Sequence, residues 1–265
     1  MKNAAALLEE YSMKRIISFF LCVLMTAALL AGCGDRKQRT TWIIAVDGDF
    51  SPFVCADANG KAVGLDVELL DAIARDQNFR YELRPSDWDT AMSVFTSHQA
   101  QVLMGSIASS QERIDGGWFF SHSFYNGVTQ SMAMEPSSDT NTLEDLAGKA
   151  VAVVSGTLGA AYAESVKDKY GFSIATFSDS HSMYAAVLEG RAAACFEDTP
   201  ALRDSIASGV ALELVPGSEG AASDYCVAIC DEKDRPFLEL FNQGLANIRA
   251  NGIYDAILAK YADTL

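Results

Sequence analysis

The sequence predicts an α/β fold built from two units, and three observations lead there. Strand-like and helix-like runs alternate from Trp42 onward, and the alternation restarts near Thr142. A stretch rich in Pro, Ser, Asp and Asn at 135–141 reads as the connection between the two series. Apolar residues make up 49% of the chain, enough to form a buried core rather than a disordered tail.

In order, 42–46 is a short apolar run expected to form a buried strand. Residues 66–78 place Val67, Leu70, Ile73 and Ala74 on one helical face. A strand at 79–84, a helix at 88–97 and a strand at 101–104 follow, the order of a parallel sheet with helical crossovers. The second series has a short helix from Thr142, strands at 150–154, 173–177 and 192–196, and helices at 158–170, 180–189 and 200–208. A loop of Gly, Ser and Ala at 216–223 leads to a strand at 225–230 and helices at 235–261. Whether these last elements return to the first unit is not visible in the sequence.

The N-terminal segment carries its own message. Lys14 and Arg15 precede an apolar run at 16–31, closed by Leu30, Ala31, Gly32 and Cys33. A basic region, an apolar core and small residues describe a secretory signal, and ending on cysteine resembles a lipobox. The run falls short of the 18 or more residues that span a hydrocarbon core. Cleavage before Cys33 and its acylation are therefore expected, with Met13 as the start and 33–41 as a lipidated tether. Each buried acyl CH2 contributes about 0.8 kcal/mol, which would hold the chain at the extracytoplasmic face of a bacterial cell membrane, in the periplasm or on the cell surface.

Loss of residues 1–32 would leave 17 basic and 33 acidic residues over 233, a net charge of -16. Such a chain repels phosphate backbones, which argues against nucleic acid as a partner. Cys55, Cys195, Cys226 and Cys230 then remain. Cys226 and Cys230, four residues apart on a strand, would sit about 13 Å from each other, too far to bond. A bridge from Cys55 to either one, or four free thiols, are both compatible with the sequence. There is no HExxH, GxSxG or P-loop, and His98, His122 and His181 lack metal-ligand spacing, so neither a metal nor another cofactor is expected.

Seven stretches, in order, carry a family resemblance: VDGDFSPF at 46–53, GLDVELLDAIA at 64–74, SDWD at 86–89, GSIASSQER at 105–113, VVSGTLGAAY at 153–162, EGRAAACFED at 189–198 and NGIYDAILAKY at 251–261. Over 42–261 the chain resembles the extracytoplasmic polar amino-acid-binding proteins of ABC importers, family 3 of the solute-binding proteins, in lipoprotein form. The resemblance implies a two-lobed periplasmic-binding-protein fold of type II with a hinge, one lobe from 42–131 with 226–265 and the other from 132–225. It implies a monomer that is not an enzyme, with an amino acid, ABC permease subunits and, through its lipid, the membrane as partners. A dehydratase on the same fold, with Glu197 and His181 as candidate acid and base, and the ligand-binding component of a sensor are the alternatives. With no membrane span or kinase segment read before Leu265, sensing would call for a separate protein.

An α-amino acid presents a carboxylate and an ammonium group, and a selective site must pair both. A planar guanidinium pairs a carboxylate through two bonds, which lysine cannot do. By position, Arg113 is the family's carboxylate clamp, helped by backbone N–H groups near Ala108 and Thr157. Asp198 matches the acceptor for the ammonium, with the Ser106 carbonyl beside it. Phe50 and Trp88 match aromatic walls for the side chain, and Asp47 an acid that reaches it, which suits a polar or cationic ligand. Plainer accounts exist: Ser109 and Glu112 form a capping box, and Thr199 with Pro200 make a helix entry beside Asp198. The chain departs from the family at Ala108, where a hydroxyl is usual and one hydrogen bond of about 0.5–1.5 kcal/mol is lost. It departs again at Leu158 and Gly159, where a polar pair is usual.

Overall fold

The computed structural model describes residues 41–265 apart from Ala221 and Thr264. The signal segment, Cys33 and the tether up to residue 40 lie outside the described residues. β1 (Thr41–Asp47) buries Ile44, Ala45 and Val46 in succession, as a strand covered on both faces does. A small antiparallel sheet of β2 (Asp49–Phe50), β3 (Val54–Ala56) and β4 (Ala62–Val63) leads into α1 (Leu65–Gln77). Gly64 caps α1 with φ +124°, and a Cβ there would lie 2.3 Å from the Phe53 carbonyl oxygen, so the turn requires glycine. Next come β5 (Arg80–Ser86), α2 (Trp88–Thr96), β6 (Val102–Ala108), α3 (Gln111–Asp115), β7 (Phe119–Phe120) and β8 (Tyr125–Val128).

The second series begins at β9 (Gln130–Met134) and continues through a 3-10 turn at Glu144–Leu146, β10 (Ala150–Val154), α4 (Leu158–Tyr170) and β11 (Ser173–Phe177). It ends with α5 (Ser180–Leu188), β12 (Ala194–Asp198), α6 (Thr199–Ala207) and β13 (Glu213–Leu214). β14 (Ser223–Ile229), α7 (Arg235–Ala250) and α8 (Ile253–Leu258) close the chain.

Two main sheets result, one in the order β5-β1-β6-β14-β7 with β8 also on β14, the other β11-β10-β12-β9-β13. Each belongs to one lobe of a mixed α/β architecture. The expected parallel pairing holds for β1 with β5 and β6, and for β10 with β11 and β12. It fails for β14, which runs antiparallel to β6 with Tyr225 opposite Ala108, and for β9, antiparallel to β12. Both strands enter their sheet from the other one rather than over a helical crossover, and only the crossover forces parallel direction.

The chain changes sheets at Thr129, between β8 and β9, and changes back between β13 and β14. The connection expected at 135–141 therefore falls after β9, inside the second series. The C-terminal elements do return: β14 enters the first sheet, and α7 packs Phe237, Phe241, Leu245 and Ile248 into the core that α1 shares. Burying each such side chain contributes about 1.5–3 kcal/mol. Cys55, Cys195, Cys226 and Cys230 are all free thiols.

Candidate ligand cleft between the two sheets

A partly open cleft lies where strands of both sheets end. From the first sheet's side come Asp47, Phe50, Trp88, Gly105, Ile107 and Arg113. Val154, Thr157, Leu158, Ser180, Glu197 and Asp198 face them from the second. Asp47 ends β1 and Asp198 ends β12, the carboxyl ends at which open α/β sheets hold ligands.

Arg113 stands in α3, and the cap of that helix is Ser110, whose Oγ accepts from Arg113 N at 3.2 Å. The box expected from Ser109 and Glu112 is replaced by a simple cap at Ser110, because Ser110 immediately precedes the helical turn and the third helical position is then Arg113 rather than a glutamate. The guanidinium donates Nη1 to the Ala108 carbonyl at 2.7 Å and Nη2 to the Gly156 carbonyl at 3.0 Å. It also lies 5.5 Å from the centre of the Trp118 ring. Burial pulls its pKa down from the usual arginine value, so an anion beside it would recover part of that cost. Ala108 contributes a carbonyl to Arg113, and it is not part of the cleft lining.

Asp198 is the N-cap residue of α6 and makes no side-chain cap bond. Thr199, expected as the cap, is the first residue of the helix, and its hydroxyl donates to the Thr129 carbonyl at 2.8 Å. The Asp198 carboxylate instead accepts from Gln130 Nε2 at 3.0 Å and from the Tyr225 hydroxyl. Burial pushes its pKa up, and those two donors pull against the rise. Helix entry therefore does not account for this carboxylate.

Glu197 is 2% exposed, yet it lines the same cleft. Its Oε2 accepts from Ser180 Oγ at 2.8 Å and its Oε1 from the Asp198 backbone N at 3.0 Å. Burial first, and the neighbouring Asp198 charge second, push its pKa up to about 8. Asp47 is half-buried and accepts from Asp49 N at 3.1 Å, and burial raises it to about 6.

Phe50 and Trp88 are buried at 8% and 6% exposure and line the cleft. Ser106 sits on β6 between Gly105 and Ile107, both of which line the cleft. Thr157 caps α4, accepting from Ala160 N at 3.2 Å and donating to the Val154 carbonyl at 2.8 Å. The first N–H groups of a helix lack partners within it, so the start of α4 offers donors to the cleft. Gly159 explains one departure: its Cβ would lie 2.5 Å from the Phe196 carbonyl oxygen, so α4 rests on β12 only with glycine there.

Six of the expected site residues thus meet in one cleft: Asp47, Phe50, Trp88, Arg113, Thr157 and Asp198. Sequence reasoning missed Ser180, Gln130 and Tyr225, and weighed Glu197 only as an enzyme's acid or base. Its proposed companion His181 does not line this cleft. Among the described residues no group of three or more His, Cys, Asp or Glu is placed to hold a metal ion. No helix among them is long and apolar enough to cross a membrane.

The comparisons with known proteins agree with this architecture. The second substrate-binding domain of a putative amino acid ABC transporter from Streptococcus pneumoniae is 34% identical, covering 83% of this chain and 99% of its own at a TM-score of 0.57. An ancestral arginine-binding protein bound to arginine is 25% identical with a TM-score of 0.76, covering 84% of this chain and 98% of its own. The L-cystine-binding protein TcyJ of Escherichia coli (strain K12) is 24% identical over 89% of this chain and 92% of its own length. Solved neighbours are two-lobed amino-acid-binding proteins, and the fold here is the type II periplasmic-binding fold. Residues 42–264 match the profile of a single family across both lobes, so the chain belongs to the bacterial extracellular solute-binding proteins, family 3.

Proposed function

We propose that this chain is the extracytoplasmic substrate-binding lipoprotein of an ABC amino-acid uptake system, capturing a polar L-amino acid, with a cationic side chain preferred, by hinge closure. One observation carries the reading: a single cleft, lined also by Phe50 and Trp88, brings together the Arg113 guanidinium and the carboxylates of Asp47, Glu197 and Asp198. A zwitterion with an additional positive charge complements that set. Relatives named for binding arginine and cystine support the amino-acid class.

The ligand carboxylate pairs with Arg113 and the first N–H groups of α4, near Thr157. Its ammonium group pairs with Asp198 and the Ser106 carbonyl, and its side chain lies between Phe50 and Trp88 towards Asp47. Two lobes, each built on one of the two main sheets, close about the crossings at Thr129 and between β13 and β14, and a membrane permease reads the closed form. The acyl group on Cys33 keeps this monomer beside its permease. Micromolar affinity, about -8 kcal/mol, lies within reach of a ten-atom zwitterion.

Thermal shift against the twenty amino acids and cystine tests the proposal, since a ligand that binds only the native state raises its stability. Lysine, arginine or histidine is expected to give the largest rise in Tm. If no amino acid moves the Tm while prephenate is bound or consumed, the transport reading fails.

A further inference from the structure

Glu197 has a place in the cleft that neither helix entry nor the zwitterion's two ends explain. Its carboxylate shares the lining with Asp47 and Ser180, and each oxygen accepts one hydrogen bond, from Ser180 Oγ and from Asp198 N. A carboxylate has about four acceptor sites, so both oxygens retain capacity for a further donor. The titratable groups that bear on it are Asp198 on its own strand, Asp47 from β1, the Tyr184 phenol from α5 and the Cys195 thiol, and none of these is a cation. Arg113 directs two of its donors at carbonyl oxygens.

Burying an acid among acids costs stability, and two things relieve it: a proton, or a cation delivered from outside. The Ser180 bond fixes the carboxylate where it faces the cleft, so both can reach it. We propose that Glu197, with Asp47 and Ser180, forms the subsite for the ligand's side-chain cation, and that this cation and a proton compete for the Glu197 carboxylate. The inference rests on the amino-acid-capture reading above.

The charge balance separates ligands. A neutral amino acid adds a carboxylate and an ammonium group, no net charge, and leaves the Glu197 proton in place. Lysine or arginine adds one positive charge beside it. The carboxyl O–H then ionises, its proton passes to the buffer, and the carboxylate takes the side-chain cation as its partner. Binding of a cationic ligand is therefore weakened by acid, by at most tenfold per pH unit for one proton.

Calorimetric titration of the full-length protein with L-lysine, L-arginine and L-glutamine, between pH 6.5 and 8.5 in two buffers of different ionisation enthalpy, tests this. Lysine or arginine is expected to release a fraction of a proton, and glutamine none, with affinity for the cation rising severalfold across that range. The isosteric E197Q is expected to abolish the proton release, weaken lysine at pH 8.5 about tenfold or more, and narrow the lysine-to-glutamine ratio. Cation binding without proton release in wild type, or proton release and an unchanged ratio in E197Q, overturns the subsite. Binding of glutamine but of neither cation also overturns it while amino-acid capture stands. Absence of binding to any amino acid refutes the capture reading and this inference with it.

Discussion

The hydroxyl of Tyr225 on β14 donates to Oδ2 of Asp198 at the end of β12, so a side chain of the first sheet holds a carboxylate of the second. Gln130 holds the other oxygen at 3.0 Å. Both donors favour the ionised carboxylate in a buried place. Hydrogen bonds to charged groups are worth about 1.5–3 kcal/mol, so Tyr225→Phe should weaken the preferred amino acid roughly tenfold to a hundredfold by calorimetry. Affinity within twofold of wild type would show that Asp198 needs no support from Tyr225.

Arg113→Lys should lose more than tenfold in affinity although the charge is kept. The guanidinium reaches the Ala108 and Gly156 carbonyls with two nitrogens and has further N–H groups for a carboxylate. A lysine offers one nitrogen for all three. Arg113→Ala and Asp198→Asn should each cost more than tenfold with the fold retained by circular dichroism, and unchanged binding in either removes that residue from the site.

Stability of the empty protein should carry the signature of raised acids. Glu197 binds its proton more tightly folded, up to about 8, than unfolded, near 4.5. Below the lower value both states are protonated and nothing is lost. Between the two, folding must take up a proton that the unfolded chain has released, so stability falls as pH rises, and the loss is complete above 8. Glu197→Gln should match wild type in Tm near pH 4 and exceed it increasingly up to pH 8. A Tm difference that does not vary with pH would contradict the burial of this charge.

Gly159→Ala should destabilise the protein by about 1–3 kcal/mol, measured by urea unfolding, because its Cβ would meet the Phe196 carbonyl oxygen at 2.5 Å. The alanine variant should also bind more weakly, since the clash forces apart α4, which carries Thr157 at its cap, and β12, which carries Glu197 and Asp198. A variant as stable as wild type would mean that β12 yields at no cost.

Mass spectrometry of the membrane fraction should find residue 33 acylated, and Cys33→Ala should release the protein. An unmodified Cys33 would leave capture intact and revise only where it occurs.

Much of the fold was legible because its elements follow apolar periodicity: the strand at 150–154 and the helix at 158–170 coincide with β10 and α4. Arg113 and Asp198 were legible through their motifs. The antiparallel entry of β14 was not, since direction depends on where a strand arrives from, and its own residues do not encode that. Tyr225 looked like any strand aromatic and acquires its partner only through that entry. Glu197 was obscured by the rule that neighbours on a strand face opposite sides. That rule lapses where Asp198 both ends β12 and caps α6. The shift of the α3 cap from Ser109 to Ser110 is a one-residue ambiguity between adjacent serines.

Thr129, where the chain first changes sheets, gives its carbonyl to the backbone N and hydroxyl of Thr199, both at 2.8 Å. Asp198 is the next residue back, held by Gln130 just past that crossing and by Tyr225 just past the second. If the lobes close about these two crossings, as proposed, the acid sits at the fulcrum, where a lever moves least. Arg113 and Gly156 are bonded across the cleft, and neither belongs to the crossing strand ends that hold Asp198. An ammonium group would be met by nearly the same geometry at every stage of closing, whereas the grip on the carboxylate would be made and broken with the full swing. Release to a permease would begin at the arginine end.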